Sequence, residues 1–389
     1  MKIVKVLVYL IVAAVVFAGL WYFRPWSEFS PANFADLQKP EKLTYNFTHM
    51  ADIVPSRTLR KSAQPRAIPV ARQADLLALK YSFDGKEKTI AQFVDESETL
   101  GLIVIKNGEI QFEDYFQSAD ENSLFTSWSM AKSFVATSIA MAVKDGLIAS
   151  WDDPAHIYAP QYKGSAFGDS SIKSLMMMAT GVKFDEDYAS KTSDINPFFF
   201  DSFILQKDPD SLLMKFDRSR PEFTDFQYIS PNSHVLSAVL RGVYNKPLAE
   251  IIQEQIWQPF GMANDANWLQ HKDGEEGQAL GYCCLNATLK DYARFGLFHL
   301  EAQQGEGLGM QELSADWISK LPVPASEKHA KGGENYSGRG YSWHFWLPPN
   351  RDGVFFAAGV YGQFIWIEPE QDLVIVRNSS DPGWTPRFL

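Results

Sequence analysis

Strand-like sequence stands toward both ends of this chain, and helix-like sequence stands between. Leu100-Gly101-Leu102-Ile103-Val104-Ile105 is an apolar run, and Lys106-Asn107-Gly108-Glu109 follows it. Residues 110–115 then alternate as a return strand. Asn-Gly between two such runs is the strongest short hairpin signal, because a tight turn there needs positive φ at both central residues. After Gly340 the texture becomes rich in Trp, Phe and Val. Residues 354–358, 364–368 and 373–377 read as three strands, the last two joined by the turn Pro369-Glu370-Gln371-Asp372. From about residue 150 to 300, helical stretches are broken by Gly, Pro and Asp. The economical architecture is α+β: one antiparallel sheet flanked by helices and built from both ends of the chain, with a mostly helical subdomain inserted. The cleft at their junction is the natural place for a site.

The 389 residues divide into three parts. Residues 1–26 form a membrane segment: Lys2 and Lys5 precede an apolar run of 18 residues from Val6 to Phe23, just enough to span a bilayer as a helix. Trp21 and Tyr22 stand where interfacial aromatics lie, and Arg24-Pro25 ends the run. The lysines favour a cytoplasmic N-terminus, which places the rest of the chain on the periplasmic side of an inner membrane. A cleaved signal peptide ending near Val16-Phe17-Ala18 is the rival reading. Residues 27–98 read as an extension packed on the main domain, which occupies residues 99–389.

Composition excludes several classes. A net charge of −11 without a Lys/Arg cluster speaks against nucleic acid as a partner. Cys283 and Cys284 are adjacent, so they close no long loop, and two buried small residues are expected. No C-x-x-C or H-E-x-x-H pattern supports a metal, and no P-loop supports a nucleotide, so no cofactor is expected. No G-x-S-x-G is present, which leaves a nucleophile elbow unsupported. The 14% aromatic content is first of all core.

The chemistry rests on three elements. Ser129-Met130-Ala131-Lys132 fits S-x-x-K at the start of an apolar helix, where Phe134, Val135, Ile139, Ala142 and Val143 recur at helical spacing. Ser129 and Lys132 are then one turn apart on one face. The helix start offers N–H groups and positive potential to an oxyanion. A serine needs a base, and a lysine serves only when neutral, a state that burial and the helix field favour. A tyrosine can carry the second proton. Phe226-Gln227-Tyr228-Ile229-Ser230-Pro231-Asn232 supplies one, Tyr228, with Ser230 as a hydrogen-bonding neighbour before an apolar helix over 235–243. Ala357-Ala358-Gly359-Val360-Tyr361-Gly362-Gln363 lets a substrate approach strand backbone at Gly359. The N–H of Val360 is placed to complete an oxyanion hole with that of Ser129.

Three further matches lead elsewhere. Ser170-Ser171-Ile172-Lys173 repeats S-x-x-K but reads as a helix N-cap. Ser193-Asp194 begins an S-D-N, with Ile195 in third place, and Lys331-Gly332-Gly333 stands in loop-like sequence. His234, the histidine nearest the proposed residues, reads as structural within its apolar helix.

The order of the three elements resembles the class C β-lactamase, D-aminopeptidase and esterase family, and within it the 6-aminohexanoate-dimer hydrolase branch. The segment 128–134 is similar to that branch's nucleophile region. Thr180-Gly181-Val182-Lys183-Phe184-Asp185-Glu186-Asp187-Tyr188 and the string from Cys283 to Gly296 resemble it too, and the likeness runs from about Asn46 onward. It implies the β-lactamase/transpeptidase-like fold, Ser129 as acylated nucleophile, and Lys132 and Tyr228 as general base and acid. Ser230 stands where relatives often have Asn, and Tyr188 resembles a tyrosine bordering the substrate cleft. Where many relatives carry a third-strand cation for a substrate carboxylate, this chain has Ala357. Neutral or linear amides and esters are therefore expected as small-molecule substrates over β-lactams. A membrane-anchored penicillin-binding or sensor protein with little turnover is the alternative.

Overall fold

A computed structural model describes residues 2–27, 29–37, 39–71, 75–330, 338–349 and 351–383. The main sheet has seven antiparallel strands. We label them β1 (Thr99–Lys106), β2 (Glu109–Tyr115), β3 (Gly340–Ser342), β4 (Phe345–Leu347), β5 (Phe355–Gly359), β6 (Gln363–Glu368) and β7 (Leu373–Ser379). Their order is β2-β1-β7-β6-β5-β4-β3, so β1 from the front of the chain lies beside β7 from its end. The Asn107-Gly108 turn closes β1 onto β2 with both residues at positive φ.

Both faces of the sheet are covered, which explains why β1 is apolar throughout. Ile103 and Ile105 join the main core, whereas Leu102 and Val104 meet Val94 and Phe112 in a smaller cluster on the opposite face. On the main-core face lies the long helix Leu289–Gln304, capped by Thr288 at its start and by Gly305 at positive φ at its end. Gly296 lets this helix approach the sheet: a Cβ there would stand 2.6 Å from a methyl of Val374. Behind it runs α3 (Ala131–Lys144), preceded in the chain by α1 (Lys2–Phe23) and α2 (Pro31–Ala35). Residues 131–142 of α3 are all buried, and Phe134 stacks on Phe295 at 3.7 Å between ring centroids. The inserted region supplies α4 (Ile195–Phe203) and α5 (Ser230–Tyr244).

The region 150–300 is less helical than its sequence suggests. Ala266–Leu269 and Leu285–Ala287 are strands of a second antiparallel sheet, completed by Ser56–Leu59 and Phe125–Thr126. They pair with each other, but their outer partners lie far off in sequence, so local periodicity carries no trace of the sheet. The extension therefore lends a strand to this sheet as well as packing on the domain. α1 stands apart: none of residues 3–23 is buried.

Candidate active site

Ser129 sits in a tight turn, Trp128–Met130, that feeds α3. Trp128 has φ of 44°, which a bulky residue adopts only when its surroundings enforce it. Ser127 N–H donates to the Leu285 carbonyl at 2.8 Å, and Cys284 N–H donates to the Trp128 carbonyl at 3.3 Å. The indole packs on Phe47 at 5.5 Å and Tyr361 at 5.9 Å. β5 closes from the other side, where a Cβ on Gly359 would lie 2.3 Å from the Ser127 carbonyl oxygen and 3.1 Å from the Ser129 nitrogen. Only glycine permits that approach. It brings Val360, the next residue, alongside the turn that carries Ser129.

Lys132 lies one turn on, 1% exposed. Its Nζ donates to Ser129 Oγ at 2.9 Å and to the Tyr282 carbonyl at 2.8 Å. The same nitrogen stands 5.1 Å from the ring centroid of Tyr228 and 5.7 Å from that of Tyr282. Burial lowers the Lys132 pKa to about 8, against the opposing charge of Glu186. Tyr228 is held in an aromatic box, stacked on Trp346 at 5.2 Å and edge-on to Tyr341 at 5.9 Å. Ser129, Lys132 and Tyr228 thus meet in one place, although 96 residues separate the last two in sequence.

Ser230 is placed differently from its expected role beside a substrate. It is fully buried, and its N–H and hydroxyl both donate to Glu186, the hydroxyl at 2.6 Å. Tyr188 donates to the same carboxylate at 2.8 Å while 42% of its surface stays open. Glu186 is the residue that sequence reasoning passed over. It lies inside the string 180–188 that carries the family likeness, but its partner Ser230 is 44 residues away. Burial raises the Glu186 pKa, and Lys132 and the hydrogen bonds oppose this. The two loops are tied further by Gln227, whose N–H reaches the Met178 carbonyl at 2.8 Å and whose amide reaches that of Phe184 at 2.7 Å.

Cys283 and Cys284 are buried, as expected of them, but are bonded to each other rather than being two separate thiols. Adjacency rules out a long loop, not the bond. The pair follows Tyr282 directly, with Cys284 at φ 79°, and so belongs to the segment that receives Lys132. Ser171 caps the helix Ile172–Met176 through its side chain, as its sequence suggests. Ser193 and Asp194 bond within their own loop. Lys331-Gly332-Gly333 lies outside the described residues. His234 is fully buried and bonded to Asp210 at 3.0 Å. Among the described residues, no group of three or more His, Cys, Asp or Glu side chains is disposed to hold a metal.

Residues 87–389 match the family model described as Beta-lactamase. The 6-aminohexanoate-dimer hydrolase of Paenarthrobacter ureafaciens is 24% identical over 349 residues, covering 86% of this chain and 85% of that protein. A Bacillus anthracis structure designated a 6-aminohexanoate-dimer hydrolase is 24% identical, with a TM-score of 0.77 over 89% of this chain and 90% of its own. EstCE1, a hydrolase with promiscuous acyltransferase activity, shares the fold at 14% identity, with a TM-score of 0.60 over 75% of this chain and 91% of its own.

Proposed function

The chain belongs to the beta-lactamase family and is a serine hydrolase of the amidase and esterase type; from that premise we propose that it cleaves an amide or ester bond through an acyl-enzyme on Ser129. The observation that carries this reading is the 2.9 Å contact between a buried lysine with a lowered pKa and the serine one turn before it. Burial outweighs the charge of Glu186 and brings the Lys132 pKa down to about 8, so its neutral form is accessible near neutral pH.

In the first step neutral Lys132 takes the proton of Ser129 Oγ as the oxygen attacks the substrate carbonyl carbon. The negative charge developing on the carbonyl oxygen is met by the N–H groups of Ser129 and Val360. The tetrahedral adduct collapses by breaking the bond to the leaving amine or alkoxide. The leaving group takes a proton from Tyr228, which Lys132 re-protonates. Water then attacks the acyl-enzyme by the same relay in reverse and frees the acid. Tyr188 borders the cleft, and Ser230 acts through Glu186.

The relative's designation favours a linear amide, and Ala357, buried in β5, offers no cation to a β-lactam carboxylate. Lys2 and Lys5, in the first turns of α1, support an anchored protein whose domain lies outside the cytoplasm. The test is incubation of the full chain in detergent with activated esters, linear amides and a chromogenic β-lactam, following product release and intact mass together. Turnover of an ester or amide, reduced at least about a thousandfold in Ser129→Ala, is expected. A stable adduct on Ser129 without turnover gives the sensor reading instead, and undiminished activity of the variant removes Ser129 from the mechanism.

A further inference from the structure

The segment 282–285 holds the turn that carries Ser129 at three points. The Tyr282 carbonyl accepts from Lys132 Nζ at 2.8 Å, Cys284 N–H donates to the Trp128 carbonyl at 3.3 Å, and the Leu285 carbonyl accepts from Ser127 N–H at 2.8 Å. The bond between Cys283 and Cys284 lies in the middle of that segment and closes a ring through the peptide between them. Both cysteines are buried, and Cys284 has φ of 79°, in the left-handed region that residues other than glycine rarely adopt. Its partner Trp128 stands at 44°, so two strained residues meet through one hydrogen bond. The flanks are pinned independently. Gly281 N–H donates to His234 Nδ1 at 3.3 Å, and the Cys284 carbonyl accepts from Leu269 N–H at 3.0 Å.

Between those pins, the ring holds the peptide that joins the two cysteines in its attitude. That peptide carries the Cys284 N–H, and the peptide before it carries the Tyr282 carbonyl. Once the sulfurs part, each side chain turns about its own χ1, and Cys284 is free to leave positive φ, which relieves its strain. With the Cys284 carbonyl held by Leu269, that relaxation falls on the peptide before Cys284. Its N–H turns away from the Trp128 carbonyl, and the Tyr282 carbonyl loses its place beside Lys132. The acyl-enzyme chemistry itself uses neither sulfur.

Resting on the Ser129–Lys132 reading above, we propose that the Cys283–Cys284 bond is a redox switch: closed, it holds the site in its working geometry, and a dithiol reductant that opens it turns the hydrolase off. A thiolate of the reductant attacks one sulfur and forms a mixed disulfide, releasing the other cysteine as a thiol. The reductant's second thiolate displaces the remaining cysteine and closes a disulfide of its own. The protein thereby gains two electrons and two protons as two thiols, and a disulfide oxidant reverses the step. The enzyme works in an oxidising compartment and is silent in a reducing one. Because both sulfurs are buried, exchange waits on local opening of the segment and is slow.

The chain has two cysteines, so a reductant acts on no other bond. The full chain in detergent is assayed with an activated ester before equilibration with dithiothreitol, after it, and again after reoxidation with oxidised glutathione. Thiols are counted by alkylation and intact mass, and the fold is followed by circular dichroism. Expected is a kcat at least about tenfold lower when both thiols are free, with KM held within about threefold, and recovery when the bond re-forms. Cys283→Ala with Cys284→Ala should show the low rate with or without reductant. If that variant does not fold, the reversible measurement on the wild type decides by itself. An unchanged kcat with both thiols free overturns the switch and leaves the hydrolase intact. So does a protein whose thiols stay free after exposure to the oxidant, or a bond that opens only as the folded dichroism signal is lost. Ester turnover by the oxidised protein that survives in Ser129→Ala overturns the catalytic reading and the switch with it.

Discussion

In the proposed mechanism the chemistry turns on Lys132, whose protonation is open to measurement. Its pKa of about 8 gives kcat/KM an acid limb that rises as pH climbs through that value, because the neutral amine is the base. Glu186 raises the lysine's pKa, so Glu186→Gln removes a negative charge and shifts the limb to lower pH. A pH profile of kcat/KM for both proteins checks this; an unmoved midpoint would mean that the limb does not belong to Lys132. The same substitution weakens the acceptor for Ser230 and Tyr188, so the expected fall in the pH-independent rate is separate from the shift. S-x-x-K and Tyr228 are legible in the sequence because their chemistry depends on residue type and, for the first pair, on local spacing. Glu186 is not, because a carboxylate becomes a pivot only when a distant serine is folded onto it.

At the scale of elements, the close approach of β5 to the nucleophile turn is the critical contact. Gly359→Ala sets a methyl 2.3 Å from the Ser127 carbonyl oxygen, so strand and turn must separate. Overpacking of this kind costs about 1–3 kcal/mol. The displaced pair is also the proposed oxyanion hole, so kcat should fall further than stability alone explains, by about 10²-fold. Thermal unfolding and steady-state kinetics on one preparation distinguish the two. A variant with a lowered Tm and unchanged kcat would remove Val360 from the mechanism. Five of the seven strands of the main sheet are readable from their apolar runs and the Asn-Gly turn; β3 and β4, three residues each, are too short to read. The strands Ala266–Leu269 and Leu285–Ala287 are not readable either: each is four residues or shorter, and their outer partners come from distant parts of the chain.

Over the whole molecule, the helical region is held together by a buried charge network. Asp210 accepts two hydrogen bonds from Arg241, one from Tyr162 and one from His234, whose other nitrogen accepts from Gly281 N–H at 3.3 Å, one residue before Tyr282. Burial by itself would raise the Asp210 pKa, but His234 and Arg241 hold it well below the usual carboxylate range. A depressed carboxyl stabilises the fold above its unfolded pKa of about 4, and that contribution is lost as pH falls below it. Asp210→Asn strands Arg241, and an expected loss of about 3–5 kcal/mol follows. Because the titrating group is gone, denaturant unfolding of the variant should depend less steeply on pH below about 4. An unchanged acid profile would assign the dependence to other carboxylates.

The apolar N-terminal helix, the two-ended sheet and the one-turn spacing of Ser129 and Lys132 were determined by sequence alone. Each rests on an interaction between residues near one another in the chain or on a simple apolar length. Tertiary structure decided the rest. It bonded Cys283 to Cys284 behind the lysine, turned Ser230 onto Glu186, and set Arg24, at the end of the apolar N-terminal helix, against the end of α4. Those outcomes depend on which distant surfaces are buried together. Burial and pairing across long separations leave no periodic mark in a sequence, because the free energy that selects them arises only when the chain has closed.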